Sequence, residues 1–153
     1  MAQLKPGDKA PSFALQDQKG QNVSLSDFAG RKLLLYFYPK AETPGCTKQS
    51  ESVRDAAAEL HGSGVAVAGV SPDAPDKQSK FDQKHSLGFP LLSDPDHKVA
   101  MAYGAWGEKS IYGKTYEGII RSSFLIDENG QIVQANYKVK PLDTVPKAQA
   151  ALA

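Results

Sequence analysis

The residues best suited to chemistry are Thr43, Pro44, Gly45 and Cys46, which follow one another at the start of a predicted helix. If Thr43 is the N-cap and Pro44 the first helical residue, Cys46 lies in the first turn. Its sulfur is then close to unpaired backbone N–H groups and to the positive end of the helix dipole. Both favour the thiolate, which is the nucleophilic form of cysteine. The pattern predicts a reactive cysteine, and the alternative is a half-buried structural one.

Thr43 and Cys46 have the spacing of a Cys-x-x-Cys redox pair in which threonine replaces one sulfur. A threonine oxygen cannot form a disulfide, but it can donate or accept a hydrogen bond beside the thiolate. The pattern therefore disfavours dithiol exchange and favours attack on an oxygen-centred substrate, which would leave a sulfenic acid on Cys46. The chain has one cysteine among its 153 residues, so no intrachain disulfide can form.

Two buried strands and an intervening helix are predicted to position this segment. Residues 32–38 are apolar on both faces and end at Pro39, which indicates a central strand covered by helices on each side. A helix over residues 44–60 and a strand over residues 65–70 follow. A strand, a helix and a second strand within so few residues predict that the two strands are parallel and joined by a right-handed crossover. Cys46 would then lie beyond the carboxyl end of a strand, where open α/β sheets bind ligands.

The rest of the chain predicts a mixed sheet with further helices. Four segments have the pattern of two hairpins, the second with an Asn-Gly turn: residues 13–17 with 21–25, and 122–126 with 131–135. Three more helices are expected: one that begins in residues 71–75 and runs to about residue 85, a short one with a Ser93-Asp94-Pro95 start, and residues 143–152. This order best matches an α/β, thioredoxin-like fold, with a central mixed sheet flanked by helices and an N-terminal hairpin. We expect one domain over residues 1–153.

Composition excludes several classes of partner. Lys and Arg number 18 and Asp and Glu 17, so the net charge of +1 lacks the basic excess of a nucleic-acid or anionic-membrane binder. No apolar run approaches the roughly 20 residues of a membrane span, and the first residues lack a signal-peptide pattern. We therefore expect a cytoplasmic protein. Its three histidines show no metal-ligand spacing.

Five segments, in the same order, resemble the peroxiredoxin Q group of peroxiredoxins, also called bacterioferritin comigratory proteins. The most specific is YFYPKAETPGCT, residues 36–47. The other four are residues 5–13, 92–96, 106–110 and 118–127, so the resemblance extends over nearly the whole chain. The resemblance implies a thioredoxin-like fold and a thiol-dependent peroxidase that reduces hydrogen peroxide and organic hydroperoxides.

The resemblance implies a role for each matching residue. Cys46 would be the peroxidatic cysteine, which attacks the terminal peroxide oxygen and becomes a sulfenic acid. Thr43 would hydrogen-bond the peroxide, and Pro39 would shield the sulfur from water. Arg121 would stabilise the thiolate and polarise the peroxide, since a guanidinium has several donors for charge on two oxygens. The backbone N–H groups of Gly45 and Cys46 would complete the cradle, with no metal or organic cofactor.

Aromatic residues are candidates for the apolar rim of the peroxide pocket. We assign Tyr38 and Trp106 to substrate binding on this basis. For Trp106, as for Tyr103 and Tyr112, a place in the core is an equal alternative, since aromatic residues near an α/β edge do both.

The sequence departs from the family at the resolving cysteine. Many members carry it five residues after the first, where this chain has Glu51, and others place it in the next helix, where residues 80–85 contain no sulfur. The resemblance thus implies a one-cysteine mechanism that needs an external thiol, which would be thioredoxin, glutaredoxin or glutathione, and a monomer. Two alternatives stay open: a thiol-disulfide oxidoreductase, and a peroxide sensor that passes its oxidation to a partner.

Overall fold

The computed structural model describes residues 3–152, in which nine strands and four α-helices follow one another. The strands are β1 (Ala14–Gln16), β2 (Asn22–Ser24), β3 (Lys32–Phe37), β4 (Val65–Ser71), β5 (Leu91–Ser93), β6 (Trp106–Ile111), β7 (Lys114–Ile119), β8 (Ser122–Ile126) and β9 (Ile132–Tyr137). The helices are α1 (Pro44–Gly62), α2 (Pro75–His85), α3 (Lys98–Ala102) and α4 (Thr144–Leu152). Two 3₁₀ turns cover Leu25–Phe28 and Pro141–Asp143.

Seven strands form one mixed sheet in the order β2-β1-β5-β4-β3-β8-β9. The predicted parallel pair is present, since β3 and β4 are parallel with Lys32 opposite Val65. Both predicted hairpins are also present, because β1 pairs antiparallel with β2 and β8 antiparallel with β9. Together with the flanking helices, this arrangement confirms the predicted thioredoxin-like fold.

The central strand separates two hydrophobic cores. Successive side chains of a strand point to opposite faces, so β3 contributes to both. Leu33, Leu35 and Phe37 pack in one core, which α3 and the aromatic ring of Phe124 also fill. The other core holds the alternate residues of β3 and lies beneath α1, α2 and α4; its members include Leu34, Tyr36, Tyr38, Cys46, Val53, Phe81 and Val145. The segment with Cys46 is thus fixed by packing on this second face.

Register brings a distant residue to the carboxyl end of β3. The antiparallel pairing of β3 with β8 places Phe37 opposite Ser122. Arg121 immediately precedes β8, so its backbone lies beside the last residues of β3 and the start of the loop to α1. The sheet therefore joins the two parts of the chain that carry Cys46 and Arg121.

The sequence prediction missed three strands and misplaced a helix start. The β6–β7 hairpin, which forms a separate two-stranded sheet, and the three-residue strand β5 were not expected. The short helix begins after Pro95, with His97 as its N-cap at φ 54°. The Asp94 carboxylate accepts hydrogen bonds from the N–H groups of Val99 and Ala100, so it caps the helix without being its N-cap residue.

Candidate active site

Cys46 lies in the first turn of α1, as its sequence context predicts. Thr43 is the N-cap in an extended conformation, and Pro44 is the first helical residue. The first intrahelical hydrogen bond joins Thr47 N–H to the Thr43 carbonyl at 2.9 Å, so the N–H groups of Gly45 and Cys46 precede it. The cysteine is free and only 1% exposed. Its sulfur is therefore beside unpaired donors yet shielded from bulk water.

Arg121 contacts the sulfur directly. Its Nη2 donates to the Sγ of Cys46 at 3.4 Å, and its Nη1 donates to the Oε1 of Gln49 at 2.6 Å. Two ends of the guanidinium fork are thus fixed by two residues of the same helix. A permanently charged donor at this distance stabilises negative charge on sulfur.

Gln49 extends this contact into the C-terminal helix. It is fully buried, and its Nε2 donates to the hydroxyl of Thr144, the first residue of α4, at 2.9 Å. Sequence reasoning missed Gln49, although its spacing of three residues from Cys46 places both on one helix face. The signal available in the sequence was a polar residue on the same helix face as Cys46. The result is a hydrogen-bonded chain from Thr144 through Gln49 and Arg121 to Cys46.

The glycine before Cys46 makes room for the guanidinium. A Cβ atom at Gly45 would lie 3.1 Å from the Nη2 of Arg121 and 3.6 Å from the Cγ of Pro141. The first of these separations is tighter than ordinary van der Waals contact, so a larger residue would push against Arg121. Gly45 therefore lets the charged group lie directly on the first turn of α1.

Thr43 and Pro39 border two different cavities, and Cys46 lines neither of them. The Thr43 hydroxyl donates to the Lys40 carbonyl at 2.8 Å, and both residues line a cavity of about 440 Å³. Pro39 lines a second cavity of about 470 Å³ together with Arg121. The chain segment that leads from β3 to α1 thus separates two recesses, with Cys46 at its end.

The two aromatic candidates lie outside both cavities. Tyr38 is completely buried in the second core, where its hydroxyl donates to Gln78. Trp106 begins the β6–β7 hairpin, stacks on His97 at 4.0 Å between ring centroids and donates its Nε1 hydrogen to Glu117. The structure thus brings together Cys46 and Arg121, whereas Tyr38 lies in the second core and Trp106 lies against His97.

Two titratable groups, Tyr36 and Lys109, have pKa values that the charges of Cys46 and Arg121 affect. Burial raises the pKa of Tyr36, whose hydroxyl is 2.7 Å from that of Ser50. Burial also lowers the pKa of Lys109 on the β6–β7 hairpin. The Arg121 guanidinium acts in the same direction on Lys109, whereas Cys46 acts to raise the value. Lys109 is therefore an electrostatic neighbour of the cysteine and the arginine, and sequence reasoning did not single it out.

The position of the missing resolving cysteine is occupied by an ion-paired residue. Glu51 lies 3.8 Å from Arg54 and 3.6 Å from the Nδ1 of His85, measured to its Oε2.

In the part of the chain that the structure describes, no group of three or more His, Cys, Asp or Glu side chains is placed to hold a metal ion. None of the helices within residues 3–152 has the length and apolar character that crossing a membrane requires.

Comparison with known proteins places this site in a family. The sequence profile of the AhpC/TSA family matches residues 6–135. Peroxiredoxin Bcp of Escherichia coli is 56% identical over 132 residues, covering 86% of this chain and 85% of that protein. A putative peroxiredoxin of Mycobacterium tuberculosis is 52% identical over 149 residues, covering 97% and 95%. A solved structure of the Xanthomonas campestris bacterioferritin comigratory protein has a TM-score of 0.86 at 37% identity, covering 92% and 89%. The chain belongs to the AhpC/TSA family and, within it, to the peroxiredoxin Q group.

Proposed function

We propose that this peroxiredoxin reduces hydrogen peroxide and organic hydroperoxides through Cys46. The thiolate attacks the terminal peroxide oxygen, the O–O bond breaks, and the products are a Cys46 sulfenic acid and water or an alcohol. The observation that carries the proposal is the 3.4 Å contact between the Arg121 Nη2 and the Cys46 Sγ. The alkyl peroxide reduction activity named for the Xanthomonas protein supports it.

The surrounding groups have distinct roles in this step. Arg121 stabilises the thiolate and then the charge that develops on the leaving oxygen, together with the N–H groups of Gly45 and Cys46. The Thr43 hydrogen is already donated to the Lys40 carbonyl, so its oxygen meets the peroxide as an acceptor for the peroxide O–H. Pro39, which lines the cavity at Arg121, limits the access of water.

The cycle is completed by an external thiol, because the chain has a single cysteine. One thiol forms a mixed disulfide with Cys46 and releases water, and a second thiol restores the free cysteine. Thioredoxin, glutaredoxin and glutathione are the candidate reductants. We also propose that residues 1–153 act as one domain, as a monomer and in the cytoplasm, which light scattering and cell fractionation would test.

The test of this function is the mass of the reduced protein after one equivalent of hydrogen peroxide and a sulfenic-acid trap. Rapid formation of one adduct, absent in Cys46→Ser, is the expected result. Oxidation no faster than that of a free thiol would refute the peroxidase function. Rapid oxidation without turnover on any thiol would favour a peroxide sensor, and activity on disulfides alone would favour a thiol-disulfide oxidoreductase.

A further inference from the structure

The cavity beside Arg121 is enriched in cationic side chains. It is an open recess of about 470 Å³. Among the residues that the structure describes, three of those lining it are basic, namely Lys109, Arg121 and Lys138, and one is acidic, Glu108. A volume of this size fits a small organic molecule. Arg121 lines this cavity and also touches the Cys46 sulfur, so it connects the cavity to the reacting group, which itself is not among the lining residues.

The basic groups of the cavity differ in how far they are already engaged. Arg121 directs one nitrogen to Gln49 and another to Cys46. Lys138 is exposed to solvent, where water screens its charge. Lys109 is half-buried, and within residues 3–152 it forms no ion pair with a carboxylate. Lys109 is therefore the least compensated cation of the cavity.

The hairpin is shaped to hold Lys109 in this place. Its cross-strand partner is Tyr116, and its aliphatic stem lies over Gly118, where an added Cβ would be 3.3 Å from its Cδ. A side chain packed along its stem loses less conformational freedom when its ammonium binds an anion. The depressed pKa of Lys109, caused by burial and by Arg121, agrees with an ammonium that lacks a counter-ion.

We propose that Lys109 binds the carboxylate of the small thiol that reduces oxidised Cys46. The inference rests on the proposed peroxidase function, and it concerns the reductant. With one cysteine in the chain, every turnover must bring an external sulfur to a residue that is 1% exposed. A small thiol can enter a 470 Å³ recess, whereas a folded protein would first have to open the site. The proposal therefore names a carboxylate-bearing small thiol.

The chemistry balances with two molecules of this thiol. The sulfur of the first attacks the Cys46 sulfenic acid, the S–O bond breaks, and the departing hydroxide takes the thiol proton to leave as water. The second thiol attacks the mixed disulfide and releases Cys46 as a thiol. Two thiols are oxidised to one disulfide, which supplies the two electrons that the sulfenic acid accepts.

The experiment measures the rate at which three thiols reduce the sulfenic acid form. The thiols are 3-mercaptopropionate, 2-mercaptoethanol and cysteamine, which are anionic, neutral and cationic at their far ends. The readout is the rate for the anionic thiol divided by that for the neutral one, because a general change in the reactivity of Cys46 cancels in this ratio. We expect Lys109→Met to lower the ratio about fivefold. Lys109→Arg should preserve it.

Two controls keep the result specific. Lys114→Met removes the same charge from an exposed position of the same hairpin and should leave the ratio unchanged. In the wild-type protein, raising the salt concentration should lower the ratio, which tests the proposal even if Lys109→Met does not fold. An unchanged ratio in folded Lys109→Met, or a ratio insensitive to salt, would overturn the proposal.

A separate arm distinguishes the thiol from the peroxide as the source of the carboxylate. Oxidation of the reduced protein is measured with a carboxylate-bearing alkyl hydroperoxide and with a neutral one. If Lys109→Met changed this ratio and left the thiol ratio intact, the site would serve the peroxide and the proposal would be wrong. If hydrogen peroxide did not rapidly oxidise wild-type Cys46, the proposed function itself would fail. This failure is read from the oxidation step, whereas failure of the Lys109 proposal is read from the ratio of the thiol rates, so the two are distinguishable.

Discussion

Gly45→Ala should slow the oxidation of Cys46 without unfolding the protein. The new Cβ would lie 3.1 Å from the Arg121 Nη2, so the guanidinium must retreat by a few tenths of an ångström. It cannot do so freely, because its Nη1 is bonded to Gln49 at 2.6 Å and its Nη2 to Cys46 at 3.4 Å.

The size of the effect follows from the bond to sulfur. A hydrogen bond with a charged partner contributes about 1.5–3 kcal/mol, and losing half of it raises the barrier by about 0.8–1.5 kcal/mol. That corresponds to an oxidation rate about four- to twelvefold lower. In a helix, alanine is more favourable than glycine by up to about 1 kcal/mol. This gain opposes the steric cost, so the free energy of unfolding should change by less than about 1 kcal/mol.

Gly62→Ala is the matched control. Gly62 ends the same helix, and a Cβ there would meet nothing within 4 Å. Both variants are oxidised with limiting hydrogen peroxide, quenched with a sulfenic-acid trap at successive times and analysed by intact mass, and urea unfolding gives their stability. Gly62→Ala should match the wild-type rate. A wild-type rate in folded Gly45→Ala would refute the view that contact with Arg121 sets the reactivity of Cys46.

Three further outcomes are expected. Gln49→Leu removes the acceptor that fixes Arg121 and should slow oxidation about tenfold in the trapping assay, whereas Thr144→Val, which breaks only the outer bond, should have a smaller effect; equal losses would contradict this order. Excess peroxide without thiol should add about 32 Da to Cys46 as sulfinic acid, because no second sulfur captures the sulfenic acid. A mass that stops at the sulfenic acid would contradict this expectation. Burial raises the pKa of Tyr36, Tyr38 and Tyr103, so these tyrosines stay protonated in the folded protein when the unfolded chain loses the same protons. The free energy of unfolding in urea should therefore fall above about pH 10, and an unchanged value up to about pH 11 would contradict this.

The parts of the site that were predictable from sequence are those with local geometry. The N-cap, proline and cysteine of α1 follow from residues adjacent in the chain, and the helix begins as they predict. Arg121 is 75 residues from Cys46, and only the resemblance pointed to it. Its position depends on the register between β3 and β8, which arises from the packing of the whole sheet. Gln49 was missed because its partners are likewise distant in sequence.

The β6–β7 hairpin was missed because its turn has an unusual residue. Tyr112 and Gly113 both have positive φ, at 53° and 78°, as the central residues of a type I′ turn do. Asn or Asp is common at the first of these positions, and a tyrosine there hides the signal. The strands are also largely exposed and have no place in the main sheet, so buried apolar runs could not reveal them. Missing this hairpin meant missing Lys109.

Glu51 connects the loss of the resolving cysteine to the stability of the first helix. Helical residues five apart are separated by about 7.5 Å along the axis, beyond the range of Cα atoms joined by a disulfide, so a resolving cysteine at position 51 would require α1 to unwind. Instead, Glu51 pairs with Arg54 and His85, and Arg54 donates to the His85 carbonyl at 2.7 Å, which joins α1 to the end of α2. Each of these polar contacts contributes only about 0–1 kcal/mol, but unwinding would break them together. An external thiol needs no such unwinding. Glu51, which stands where a resolving cysteine would be, therefore also stabilises the helix that an internal disulfide would have to unwind.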